Sequence, residues 1–309
     1  MSVADEHAER FTHLRPLLFT IAYEILGSAT ESDDVLQDSY LRWAEVDLTA
    51  VRDTKAYLAR LVTRQALNAR RAEARRREYY FGPWLPEPIL VTEHDGAADV
   101  VLAEWVSMGM LVLLETLTPN ERAVFVLREV FGFDYDDIAP AVGKSLTAVH
   151  QMAHRAREHI QARRKRLGPV NKARTAAVTE QFLTAAATGD MAGLLSLLAP
   201  DITWTTDSGG KVPAVRHLVM TDAKEVASMF LALFREMRRR PGFRIEVVSY
   251  NSQPAMSIHL GKLGESVCLL EISDGKITHG FTIRNPEKLT ALTVPRAIAR
   301  SDAGPFREP

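Results

Sequence analysis

The chain has 309 residues, more than one hydrophobic core usually spans, so two or three compact units are expected. Hydrophobic residues at 46% and charged residues at 25% describe a folded protein in water, and no apolar run reaches the length of a bilayer span. The polar, acidic start Met1 to Glu6 lacks a secretory pattern, so the expected compartment is the cytoplasm, and the single Cys268 excludes a disulfide framework and a multi-cysteine zinc site.

Apolar residues from Phe11 to Ile25 recur at three and four, the helical period, and Gly27 stops that helix. A second helix is expected from Glu31 to about Trp43, with Leu36, Tyr40 and Trp43 on one face and Asp34, Gln37, Asp38 and Arg42 on the other. A third starts near Thr54 and turns Arg60, Arg64 and Asn68 outward. Pro83, Pro86, Pro88 and Gly96 then mark an extended connector that ends the first unit. Helix resumes from Ala98 to Leu117, and Thr118-Pro119-Asn120-Glu121 is a capping box with proline in the first turn. A helix ending near Gly132, a short one from Asp134 to Ala141, the break at Gly143 and a final helix capped by Ser145 make a helix-turn-helix.

The texture changes after Gly168-Pro169. Helices at Lys172 to Thr188 and Met191 to Leu198 lead to a β-rich run at Ile202 to Thr206, a helix at Asp222 to Arg238, and strands at Arg244 to Tyr250, Ala255 to Leu260, Val267 to Ile272 and Lys276 to Ile283. Asp274-Gly275 is a hairpin signal between the last two. Helices followed by strands indicate a separate α+β domain.

The net charge of −1 hides an uneven distribution. Arg70, Arg71, Arg75, Arg76 and Arg77 crowd one segment; Arg155, Arg157, Arg163, Arg164, Lys165 and Arg166 crowd another. Each run closes a helical unit, which points to phosphate contacts beyond ordinary solvated faces. On the last helix Thr147, His150, Gln151, His154 and Arg155 suit a recognition helix, where glutamine pairs with adenine and arginine with guanine. Tyr79, Tyr80, Phe81 and Trp84 follow the first run; packing into a domain interface is expected before base stacking.

Glu31-Ser-Asp-Asp-Val-Leu-Gln-Asp-Ser-Tyr-Leu-Arg-Trp43 resembles the second region of extracytoplasmic-function sigma factors. The resemblance implies polymerase contact by Asp34, Gln37, Asp38 and Arg42, and reading of the minus-ten element by the segment from about Val46 to Arg77, with Arg60, Arg64, Asn68, Arg70 and Arg71 on DNA. Leu117 to Arg122 and Asp134 to Ala139 through His154 to Arg157 resemble the fourth region, implying that Ser145, Thr147, His150, Gln151, His154 and Arg155 read the minus-thirty-five element. Trp84-Leu85-Pro86-Glu87-Pro88 matches the linker of sigma factors fused to a SnoaL-like domain. Asp207-Ser208-Gly209-Gly210-Lys211 resembles the DGGGK motif of that group, departing at Ser208; Asn285-Pro286-Glu287-Lys288-Leu289 resembles its NPDKL motif, departing at Glu287.

The expected architecture is therefore multidomain: a helical domain over 1–80, a linker over 81–97, a helix-turn-helix domain over 98–167 and an α+β SnoaL-like/NTF2-like cone over 168–309. The implied function is promoter-directed initiation with core RNA polymerase and promoter DNA as partners, with room for a small-molecule or protein effector at the cone, and with no membrane, metal, cofactor or catalytic residue. Two other readings compete. The cone fold also hosts enzymes, for which Asp207, His217, Tyr250 and His259 are acid or base candidates if they converge. A dimeric repressor would use the helix-turn-helix alone, leaving the N-terminal helices and the linker unexplained.

Overall fold

Helical periodicity in the first third becomes three long helices, α1 (Val3–Leu26), α2 (Ala29–Trp43) and α3 (Thr54–Arg77). The computed structural model describes residues 3–92, 100–164, 172–212, 217–239, 242–260 and 265–300. Ser28 caps α2 and Asp53 caps α3, each side chain accepting a backbone N–H of the first turn. Helix α1 begins at Val3, ahead of the expected Phe11, because its first turns pack against the end of α2: Trp43 Nε1 donates to His7 O at 2.9 Å, and His7 meets the Trp43 ring edge-on.

The connector contributes β1 (Leu90–Val91), followed by α4 (Val100–Trp105), α5 (Met108–Leu114), α6 (Pro119–Phe125), α7 (Tyr135–Val142) and α8 (Leu146–Arg164). The expected single helix to Leu117 is broken, because Ser107 caps a new helix through Met110 N. The capping box forms as read, with Thr118 and Glu121 exchanging side-chain and backbone bonds. Helix α6 continues as a π turn over Val126–Val130, and Gly143 (φ 66°) ends α7. Lys165, Arg166, Gly168, Pro169 and connector residues 93–97 lie outside the described residues.

Helices α9 (Lys172–Thr188) and α10 (Met191–Leu197) precede β2 (Leu198–Asp207), β3 (Val219–Met220), α11 (Ala223–Met237), β4 (Phe243–Tyr250), β5 (Gln253–Leu260), β6 (Glu265–Ser273), β7 (Lys276–Ile283), α12 (Pro286–Leu289) and β8 (Pro295–Arg296). The sheet runs β3-β2-β7-β6-β5-β4-β1-β8. Connector strand β1 thus pairs with β4 and β8 of the α+β part.

Alternation along the strands divides the sheet's side chains between two cores. Met256, Cys268 and Leu270 join Trp204, Phe182 and Phe230 under α9–α11, whereas Ala255, Val267 and Leu269 face Leu85 of the connector and Met108 of α5. Both faces are therefore buried, one inside the cone and one against the rest of the chain. A third core runs without a break from Phe11 on α1 to Ile160 on α8, so the two helical units share it.

Gly280 lies where the Trp204 ring crosses β7, and a Cβ there would come within 2.2 Å of that ring. Gly280→Ala is expected to destabilise the cone by about 1–3 kcal/mol through overpacking, measured as a lower urea midpoint of the Trp204 fluorescence transition.

Candidate nucleic-acid interface and interdomain lock

The α2 face of Asp34, Gln37, Asp38 and Arg42 is exposed, as are Arg64, Asn68 and Arg71 on α3. Arg60 is half-buried with its guanidinium 5.3 Å from the Tyr57 ring centre. Ser145 caps α8 through Ala148 N, and Thr147, His150, Gln151, His154 and Arg155 form an exposed stripe beyond it. His150 rests on Tyr135, and Arg155 is tied to Glu121 at 3.3 Å.

Arg70 departs from its expected DNA role in this arrangement. It is 6% exposed, and its guanidinium donates to Leu26 O and to the Glu115 carboxylate at 3.0 Å. Glu115, at the end of α5, also accepts from Arg77 of α3 at 2.5 Å and from Arg122 of α6. Burial alone would raise the Glu115 carboxyl, but Arg122, Arg70 and Arg77 outweigh it and hold the pKa at about 2. Arg122 is itself fully buried and donates through Nε to Glu24 O of α1. One carboxylate thus joins both helical units.

The connector lies between those units and the cone. Glu87 accepts from Ser28 Oγ, Thr30 N and Thr30 Oγ1, and its own N–H reaches Gly27 O. Tyr23 donates its hydroxyl to Glu87 O at 2.6 Å. Pro86 and Pro88 are buried beside it, supplying fixed φ in a segment with few donors to satisfy. Trp84 takes the Arg77 guanidinium at 3.4 Å and the Lys288 ammonium at 3.9 Å from its ring centre.

The two glycine- and proline-bearing motifs of the cone meet at that connector. Asp207, fully buried, accepts from Tyr80 Oη (2.5 Å), Leu85 N (2.9 Å), Lys288 Nζ (2.7 Å) and Gly209 N (3.1 Å). Lys288 Nζ also donates to Leu85 O, and Asn285 Nδ2 donates to Tyr80 Oη at 2.9 Å. Gly209 (φ 57°) has to be glycine here, because a Cβ would lie 2.6 Å from Asn285 Nδ2. Gly210 passes over Phe81, Lys211 pairs with Glu287, Pro286 opens α12, and Leu289 packs against the Leu85 core.

Sequence reasoning missed two further contacts. Asn251 (φ 52°) exchanges backbone and side-chain bonds with Ile89 while its Nδ2 donates to Tyr23 Oη and Val106 O, both at 2.8 Å. It touches the first unit, the connector and the second unit at once. Glu271 accepts Gly109 N at 2.9 Å at the start of α5, and burial pushes its carboxyl up to about 7. The tight Asn251-Ser252 turn between β4 and β5 was the available signal for the first; nothing in the sequence marked Glu271.

The four acid or base candidates do not converge. Asp207 is consumed by the connector and His217 faces Glu225. His259 pairs with Glu265 at the end of the β4–β5 hairpin opposite Tyr250. No described helix is long and apolar enough to cross a membrane.

Burial pushes Glu24 up to about 8; neither of its carboxylate oxygens has a hydrogen-bond partner, and nearby Arg122 only partly opposes the shift. Carboxyls raised in this way stabilise the fold fully below the unfolded pKa near 4.5 and lose that contribution as pH rises towards 7–8. Glu115 behaves oppositely, its contribution being lost only as pH falls towards 2. Stability by urea titration is therefore expected to fall from pH 5 to pH 8, and Glu24→Gln to flatten that slope. Glu115→Gln, leaving the buried Arg70 and Arg122 without a carboxylate partner, is expected to cost about 3–5 kcal/mol in the same titration at pH 7.

Comparison with known proteins identifies the two helical units. The sigma-70 region 2 family matches residues 10–76 and the sigma-70 region 4 family residues 108–160. The chain is 32% identical to the ECF RNA polymerase sigma factor SigJ of Mycobacterium tuberculosis over 91% of its own length and 92% of that protein. It is 28% identical to the probable ECF sigma factor SigI of the same species, over 94% and 98% of the two chains. The crystal structure of SigJ superposes with a TM-score of 0.73, covering 94% of this chain and 99% of that one. With helical regions two and four ahead of an α+β domain, the chain belongs to the extracytoplasmic-function sigma factors, which direct RNA polymerase to promoters.

Proposed function

We propose that the chain works in the cytoplasm, gripping core polymerase with Asp34, Gln37, Asp38 and Arg42. In this reading Arg60, Arg64, Asn68 and Arg71 face the minus-ten element, the α8 stripe from Ser145 to Arg155 reads the minus-thirty-five element, and the arrangement described here is a closed, resting form. The observation that carries the last point is the single core shared by the two helical units. Elements separated by about 25 base pairs, at about 3.4 Å each, lie about 85 Å apart, a span that units joined in one core do not reach. Opening must separate α3 from α6 and α7, withdrawing Arg70 and Arg77 from Glu115 and freeing Arg70 for phosphate, while Arg77 keeps Glu73 of its own helix.

The cone then acts by contact and not by catalysis. Asp207 and Lys288 hold the connector, Asn251 holds connector and both units, and Glu271 caps α5, so the cone stabilises the closed spacing. An effector, small molecule or protein, would act by loosening or tightening these contacts. A coupling of about 1–3 kcal/mol is enough to change polymerase affinity about 5- to 150-fold.

The test is a distance measurement between nitroxides at Arg52→Cys and Asp136→Cys, exposed sites on the two units; native Cys268 is buried. One short distance is expected in the free chain and a much longer one on core polymerase. An unchanged distance in the polymerase complex would sink the closed-form reading. Asp207→Asn is expected to enlarge the long-distance population of the free chain and to tighten apparent polymerase affinity in proportion. Separately, Gln151→Ala is expected to relax preference at one base of the minus-thirty-five element by about 1–3 kcal/mol, read from transcription of a randomised promoter library.

A further inference from the structure

Cations near the seam between the helical units each reach a carboxylate: Arg70, Arg77 and Arg122 share Glu115, and Arg76 takes Glu31 within the first unit. One place breaks the pattern. A cleft of about 490 Å³ opens between α2 and α3 on one side and the α7–α8 turn on the other, and four of its lining side chains are Arg42, Arg64, Arg71 and Lys144. Among the described residues no acidic side chain lines it. Among them Arg71 reaches only the amide oxygens of Asn68 and Asn120, at 3.4 and 3.2 Å. Arg42 meets only the Gln65 amide, once that amide is turned to present its oxygen. Arg64 and Lys144 are exposed and have no side-chain partner among the described residues.

We propose that this cleft binds a small anion carrying two or more linked phosphates, of nucleotide size. Four cations facing one concavity without counter-charge create a field that such an anion relieves, and guanidinium forks match phosphate oxygens two at a time. The C-terminal end of α7 brings about half a negative charge to the same wall, which four positive charges outweigh. The volume lies within the range of small-molecule sites, about 300–1,000 Å³. Asn68 and Gln65 add neutral groups for a sugar or base edge. Because Arg64 and Lys144 come from different helical units, the cleft exists only while those units are apposed. An anion held there stabilises the closed arrangement by mass action and covers Arg64, Asn68 and Arg71, three of the side chains assigned to the minus-ten element. That consequence rests on the closed-form reading above, whereas the binding needs only that the two units lie together as they do here.

The experiment is isothermal titration of the full chain, freed of nucleic acid, with sodium tripolyphosphate at low salt. Parallel titrations use magnesium-free ATP and a single-stranded DNA oligonucleotide. Saturable binding of tripolyphosphate at one per chain is expected, weakened at least about tenfold by Arg64→Glu and by Lys144→Glu, each at an exposed site, and unaffected by Lys224→Glu on the cone. ATP binding more tightly than tripolyphosphate identifies a nucleotide as the ligand; weaker ATP binding identifies free polyphosphate. Absence of saturable binding, binding of the oligonucleotide alone, or a loss confined to Arg64→Glu overturns the proposal, the last because it would place the site on one unit only. None of these readouts involves polymerase, so failure of the cleft and failure of the sigma-factor mechanism are separately visible.

Discussion

Glu115 and its three arginines set the terms for the rest of the molecule. A carboxylate removed from water stays ionised only where cations replace its hydration, and here two of the three come from α3 in the other helical unit. A completed buried ion network adds little net stability over an apolar seam, while a network missing one partner is penalised by several kcal/mol. Glu115 therefore selects between arrangements more than it strengthens one. Fully closed, the charges are matched; fully open, water solvates them; partly separated, they are neither. That is the energetic shape of a two-state element, and the shared core around it has the same all-or-none character because close-packed side chains do not stretch.

The cone acts on this same equilibrium because its sheet has two working faces. One covers the interior beneath α9–α11, and the other supplies Ala255, Val267, Leu269 and Phe281 to a core completed by Leu85 and Met108 from outside the cone. Asp207 closes that core's edge. Its four hydrogen bonds come from Tyr80, from Leu85 of the connector, from Lys288 and from its own loop, so withdrawing Tyr80 and the connector together would leave a buried carboxylate with half of its partners. Each bond contributes about 1 kcal/mol, and a handful acting together reaches the scale of a regulatory coupling. Opening the helical units without disturbing the cone would strand Asn251, whose amide spans Tyr23 and Val106. The three parts are thus linked through side chains that are each satisfied only in the closed form.

Much of this was legible in the sequence, and the parts that were not have a common physical cause. Local rules wrote the helices: Ser28, Asp53, Thr118 and Ser145 occupy caps, and Gly143 ends α7. The motifs at Trp84 to Pro88, Asp207 to Lys211 and Asn285 to Leu289 pointed to an interdomain role, and they do converge around Asp207. Contacts made by single residues across long stretches of chain left no local pattern, which is why the pairing of Arg70 with Glu115 at the end of α5 went unread. Glu271 escaped for the same reason. The unbroken apolar run Val267-Cys268-Leu269-Leu270 did carry a readable message, since a strand buried on both faces loses the alternation of a half-exposed one. Taken at face value, it said that something besides α9–α11 must cover this sheet.

The net charge of −1 is misleading for the same reason that the seam is informative. Glu115 lies where it holds arginines of both helical units and stays ionised, whereas burial raises the carboxyls of Glu24 and Glu271. In the proposed opening Glu24, beside Arg122 at the seam between α1 and α6, returns to water and ionises, so the open form binds fewer protons than the closed one at neutral pH. By linkage, a partner that captures the open form must release protons, and a rise in pH must favour its binding. In the proposed opening the cations behave in the complementary sense: withdrawn from Glu115, Arg70 loses its carboxylate and Arg77 keeps only Glu73 of its own helix. On that reading, closing hides positive charge from DNA, and the pairing that joins the two helical units is the pairing that promoter binding would have to break.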